Sequence, residues 1–86
     1  MKLWLLLPVD GLNDLNNPWE PWYDKAFGFV VRAESELEAR EMASRSGGDE
    51  VERGLPNPWE EPSLSTCVEL TADGECGVVM RDFAAA

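Results

Sequence analysis

The chain has 86 residues, with 17 Asp and Glu against 7 Lys and Arg and no His, for a formal net charge of −10. A chain this short holds one domain, residues 1–86, since domains run on the order of 100 residues or more. The charge argues against direct nucleic-acid binding, which needs clustered Lys and Arg against the phosphates, and the absence of His removes the commonest general base and transition-metal ligand. With 9% aromatic residues it is not a disordered acidic tail either.

Residues 2–7, Lys-Leu-Trp-Leu-Leu-Leu, form a continuous apolar run stopped by Pro8. The run is too short for a stable helix and reads as a buried central strand. A signal peptide would need a longer apolar stretch and a small-residue cleavage site, which Val9, Asp10 and Gly11 do not offer. No run approaches the ~20 apolar residues that span a membrane. Turn-forming Asp, Gly, Asn and Pro dominate the loop that follows to about Asp24. Trp19, Trp22 and Tyr23 in that loop are expected to fold back as a lid on the small core.

The second strand is read over residues 26–32, with Phe27, Phe29 and Val31 on one face and Gly28, Val30 and Arg32 on the other. Gly28 marks a bulge or a close contact. Residues 34–45 are rich in Ala, Glu, Arg, Leu and Met and form the one clear helix. Acidic residues crowd its first turns, Arg45 lies in its last, and Gly47-Gly48 stops it. At 100° per residue Ala39, Met42 and Ala43 face the sheet, while Glu34, Glu38 and Glu41 share another face with Arg45 beside them. Leu37 lies away from both.

Residues 49–62 read as a second long loop. Residues 65–70 alternate well enough for a third strand and residues 77–83 for a fourth, joined as a hairpin through residues 71–76. The expected fold is α+β: a small, mainly antiparallel sheet of about four strands with one helix packed on one face. The strand order is not legible. Cys67 and Cys76 would sit too far apart along such a hairpin to bridge, and read as reduced thiols.

One motif is echoed. Asn17-Pro18-Trp19-Glu20-Pro21 recurs as Asn57-Pro58-Trp59-Glu60-Glu61-Pro62, one copy in each long loop. Nothing else in the two halves matches, so no duplicated domain is inferred. Two readings stand side by side. Each Asn-Pro makes a turn and each Trp plugs the core, or the two Trp are exposed anchors for a protein partner.

The chain carries no phosphate-binding loop, no nucleophile elbow and no calcium loop, so neither catalysis, nor a cofactor, nor a metal is expected. The charge distribution says more. Residues 1–33 carry a net −1, residues 34–61 a net −6 and residues 62–86 a net −3. At ~1.5 Å per residue, Glu34, Glu38 and Glu41 rise along the helix in steps of about 6 and 4.5 Å, comparable to phosphates along one nucleic-acid strand. Asp49, Glu50 and Glu52 extend the row. The bland reading is a solvated helix face that keeps a small protein soluble. The functional one is a surface that meets a Lys/Arg-lined groove and steers its own encounter with it.

The stretch Pro21-Trp22-Tyr23-Asp24-Lys25-Ala26-Phe27-Gly28-Phe29-Val30-Val31-Arg32-Ala33-Glu34-Ser35, followed by an Ala/Glu/Arg helix, resembles a group of small acidic proteins of phage and prophage genomes. Ser65-Thr66-Cys67-Val68-Glu69-Leu70 and Arg81-Asp82-Phe83 belong to the same pattern. In size, acidity and lack of catalytic residues the chain also resembles anti-CRISPR proteins of the DNA-mimic type. That likeness implies occupation of the basic DNA-binding channel of a CRISPR effector complex in the bacterial cytoplasm. It carries over no residue position by position.

The leading expectation is thus a non-enzymatic inhibitor that presents Glu34, Glu38, Glu41, Asp49, Glu50, Glu52, Glu60 and Glu61 to a basic surface of a nucleic-acid-binding protein, with Trp19 and Trp59 adding contact area. The alternative is an accessory or antitoxin-like module that docks through Trp19, Trp22 and Trp59. A carboxylate enzyme with a divalent metal is third. No membrane partner is expected.

Overall fold

The structure, a computed structural model, describes residues 1–10, 12, 17–19, 24–52 and 57–83. The fold is α+β. Three strands, β1 (Lys2–Pro8), β2 (Phe29–Ala33) and β3 (Ser65–Leu70), make one antiparallel sheet in the order β2-β1-β3. Two helices, α1 (Glu36–Arg45) and α2 (Asp49–Glu52), lie between β2 and β3 in the chain. The apolar run of β1 is explained by its central place. Leu6 pairs with Phe29 on one side and Cys67 on the other, and Leu5 pairs with Val30 and Val68.

Strand alternation gives the sheet two unlike faces. On the inner face Leu6, Val31 and Ala33 are buried with Ala39 and Ala43 of α1 and with Trp19 and Trp59 from the two loops. Trp4, Phe29 and Cys67 pack around them. Leu3, Leu5, Leu7, Val30, Val68 and Leu70 fall on the outer face.

Ser35 caps α1, its Oγ accepting from the Glu38 N–H as capping serines do. Glu38 Oε1 in turn accepts from the Glu34 N–H at 3.3 Å. Ala39 and Ala43 face the sheet as expected, but the third inward residue is Arg40, while Met42 is exposed. Leu37 is exposed as well.

Three expectations are corrected. β2 starts at Phe29 rather than at Ala26, because the preceding backbone is committed elsewhere. The Ala26 N–H donates to Glu50 Oε1 and the Asp24 carbonyl accepts from the Asp49 N–H. Phe27 is therefore outside the strand and exposed. Gly28 is a close contact: a Cβ there would lie 2.9 Å from Leu7 Cδ2. Second, the loop after α1 contains α2. Third, residues 77–83 are not a strand, so the sheet has three strands among the described residues. Trp22 and Tyr23, read as part of a lid, lie outside the described residues. Cys67 and Cys76 are both free thiols.

Candidate acidic binding surface

The acidic surface is built on the outward side of α1. Burial of Ala39, Arg40 and Ala43 turns Glu38, Glu41 and Arg45 away from the sheet, and Glu34, just ahead of the helix, is tied to Glu38 through its N–H. Glu34 and Glu41 are exposed and Glu38 is half-buried. The Met1 amino group approaches Glu34 Oε1 at 3.7 Å. Beyond the helix Asp49 and Glu61 are half-buried, while Glu52 and Glu60 are exposed. Glu61 Oε1 accepts from the Ser63 N–H and hydroxyl, so part of its hydrogen-bonding capacity serves its own turn.

Glu50 departs from the expected row: it is fully buried. Its Oε1 accepts from the Ala26 and Gly48 N–H groups, and its Oε2 accepts from Gly48 N–H and, at 2.8 Å, from Trp59 Nε1–H. A buried carboxylate is tolerated because its lone pairs are filled by donors. This residue fastens α2, the segment before β2 and the second Trp loop together, and it presents nothing to a partner. Gly48 is required by the same junction, because a Cβ there would meet the Asp24 carbonyl oxygen.

Trp19 and Trp59 are likewise interior. The echoed motif folds the same way twice. Asn17 Oδ1 accepts from the Trp19 N–H at 2.9 Å and Asn57 Oδ1 from the Trp59 N–H at 3.1 Å, an Asx-turn in each case. The two turns deliver their indoles to one place. The Trp19 and Trp59 rings meet edge to face at 4.7 Å between centroids, and Phe29 meets Trp59 at 4.9 Å. Each indole N–H has an acceptor, Leu64 O for Trp19 and Glu50 for Trp59. Of the two readings of the echo, the structure therefore supports the core plug. Trp19 and Trp59 are removed from the binding surface.

Arg40 was not singled out by the sequence, and it organises the site from below. Its guanidinium donates from Nη1 to Trp59 O at 3.0 Å and Ser65 Oγ at 2.9 Å, and from Nη2 to Ser65 O at 3.1 Å. Nε reaches Glu36 Oε2 at 2.8 Å. Its stem is on the inward side of α1, so the positive charge is spent inside the protein and leaves the outward face acidic. The i,i+4 spacing of Glu36 and Arg40 was the available signal. Burial of Cys67, outweighing the opposing influence of Arg40 and reinforced by Glu36, pushes its thiol above the ordinary value, which keeps it protonated and poorly nucleophilic.

Among the described residues no three Cys, Asp or Glu side chains gather as a metal-binding set, and no helix is long and apolar enough to cross a membrane. The arrangement offers carboxylates on one rigid helix face and a sealed, hydrogen-bonded interior. Searched against protein families, curated proteins and solved structures, the chain gives no match.

Proposed function

We propose that this protein is a non-enzymatic inhibitor that lays the outward face of α1 on a Lys/Arg-lined surface of a nucleic-acid-binding protein and excludes DNA from it. The observation that carries this reading is the orientation of α1: the helix buries its single interior cation, Arg40, and turns Glu38 and Glu41 away from the sheet, with Glu34 exposed just ahead of it. Glu52 and Glu60 continue the exposed charge beyond the helix. In its most specific form the partner is a CRISPR effector complex in the bacterial cytoplasm and the protein an anti-CRISPR DNA mimic. That form draws its support from size and acidity alone. Docking through the Trp loops loses two of its three anchors to the core, and Trp22 lies outside the described residues.

The test is charge reversal of Glu34, Glu38 and Glu41 to Lys, with circular dichroism to verify the fold. Binding to a basic nucleic-acid-binding partner and competition with DNA should be abolished. Binding of the unaltered protein should weaken steeply between low and physiological salt, because exposed charges are screened. Inhibition that survives in the triple variant sinks the proposal.

A further inference from the structure

Two parts of the chain are unsatisfied in complementary ways. The first is β3. Like β2 at the opposite edge, it has no neighbour on its outer side among the described residues, so alternate N–H and C=O groups face outward, a ready template for another strand. Beside that edge the outer face is apolar and open at its rims, although Leu5 at its centre is buried. Val30 and Val68, which flank Leu5 in register, are both more than half exposed, and Leu3 is exposed as well. Arg32 is the one charged side chain that the three strands place on this face.

The second is residues 71–83. All thirteen are exposed, and among the described residues none of them enters a backbone–backbone hydrogen bond. Val78, Val79, Met80 and Phe83 are between 41% and 81% exposed, although Val and Phe favour a half-buried pleated surface. The segment carries Asp73, Glu75 and Asp82 against Arg81, a net −2, whereas the outer face carries +1. On a chain of net −10, that face is the surface least repelled by a second copy.

We infer that residues 77–83 of one copy add as a strand to the free edge of β3 in a second copy, which returns the contact. The occupant is another copy of this chain because the open edge and the strand that fits it are both on it, and a two-fold exchange closes both at once. The seven residues that add and the six of β3 bring about 13 residues a side to the contact, smaller than the ~20–30 of a standard stable interface, so the dimer is a weak one. Apolar side chains at positions 78–83 then lie beside Val68 and Leu70 at the rim of the outer face.

Sedimentation of the full chain over a wide concentration range tests this, with two variants at exposed side chains, each verified as folded by circular dichroism. Val79→Pro removes a strand N–H and Val68→Asp puts a carboxylate at the receiving edge. The unaltered protein should dimerise, and added salt should strengthen the dimer by screening two net charges of −10. Each variant alone should weaken dimerisation on the order of 100-fold, in line with an unpaired polar group or a lost ladder bond in an apolar contact. A mixture of the two retains one intact edge with one intact segment, and should form heterodimers of intermediate stability. A monomer at all concentrations overturns the inference, including one whose own segment has folded back on its own β3. So does a dimer indifferent to Val79→Pro, which would mean that the faces pack without the segment.

Discussion

Replacing Arg40 by Ala isolates what holds α1 to the second Trp loop. The guanidinium serves three buried acceptors, Trp59 O, Ser65 O and Ser65 Oγ. The single Ser65 hydroxyl proton goes to Pro58 O at 2.7 Å, so Trp59 O is left without its donor. Ser65 O is left bare of the side-chain donor. Two buried carbonyls short of a donor, at about 1–3 kcal/mol each, together with the lost packing of the stem, give a cost of about 3–4 kcal/mol. The Glu36 ion pair adds little, because that carboxylate is 48% exposed and such pairs contribute at most about 1 kcal/mol. The whole fold of 86 residues rests on roughly 4–13 kcal/mol, so Arg40→Ala removes from about a quarter to nearly all of it. In urea, with a slope near ~1 kcal/mol per molar for so small a protein, the midpoint should fall by about 3 M. Glu36→Gln should shift it by less than about 1 M on the same scale. Equal shifts for the two variants would refute the assignment of the stabilisation to the hydrogen bonds rather than to the ion pair.

Three further outcomes are expected. A double-mutant cycle between Trp19→Leu and Trp59→Leu, read by denaturant unfolding, should give a coupling of about 0.5–1.5 kcal/mol for the edge-to-face contact; additivity would mean that the two rings fill space independently. Gly48→Ala should destabilise by more than about 1–3 kcal/mol, since the Cβ meets backbone that cannot rotate aside, whereas Gly77→Ala, which meets nothing within 4 Å, should be near neutral by thermal melting. Cys67 has its thiol pushed up from 9.0 by folding, so the native state holds its proton more tightly than the unfolded state. Its contribution is fully present below pH 9 and is lost as pH rises above that value; a Cys67→Ser variant should show a smaller alkaline loss than the unaltered protein, and in the native protein Cys76 should react with a thiol reagent first.

Elements whose sides were decided by local pattern were legible in the sequence. β3 falls where its alternation places it, β1 extends one residue beyond its apolar run to Pro8, and α1 starts two residues later than its composition suggests. Outward placement of Glu38 and Glu41 follows from helical geometry alone, whereas Glu34 precedes the extended N-cap Ser35 and is not placed by the helical period. What escaped depends on residues distant in sequence. α2 is four residues long and is fastened by Glu50 to a tryptophan nine positions on, so no local period announces it. The same tie explains why Glu50 read as surface charge. Ala26 read as the start of a strand, but its N–H is claimed by Glu50, and the Asp24 carbonyl just before it by Asp49. The two Asn-Pro-Trp motifs were visible as an echo, yet spacing does not reveal that both rings point to one spot. Residues 77–83 have strand chemistry, which acts only where a pleated surface receives it.

Placing β1 at the centre of the sheet also sets the order in which this protein can be assembled. Lys2 pairs with Ala33 and Leu3 with Leu70, so every ladder bond of the sheet closes a long stretch of chain and none belongs to a local hairpin. Loop closure must come before those contacts stabilise anything, which makes folding slow for the protein's size. On the ribosome β1 emerges before both of its partners, and its second side is covered only once β3 has followed. During that interval α1 is the element able to form from local contacts, and its acidic outer face is the part of the nascent chain that keeps it from associating with others.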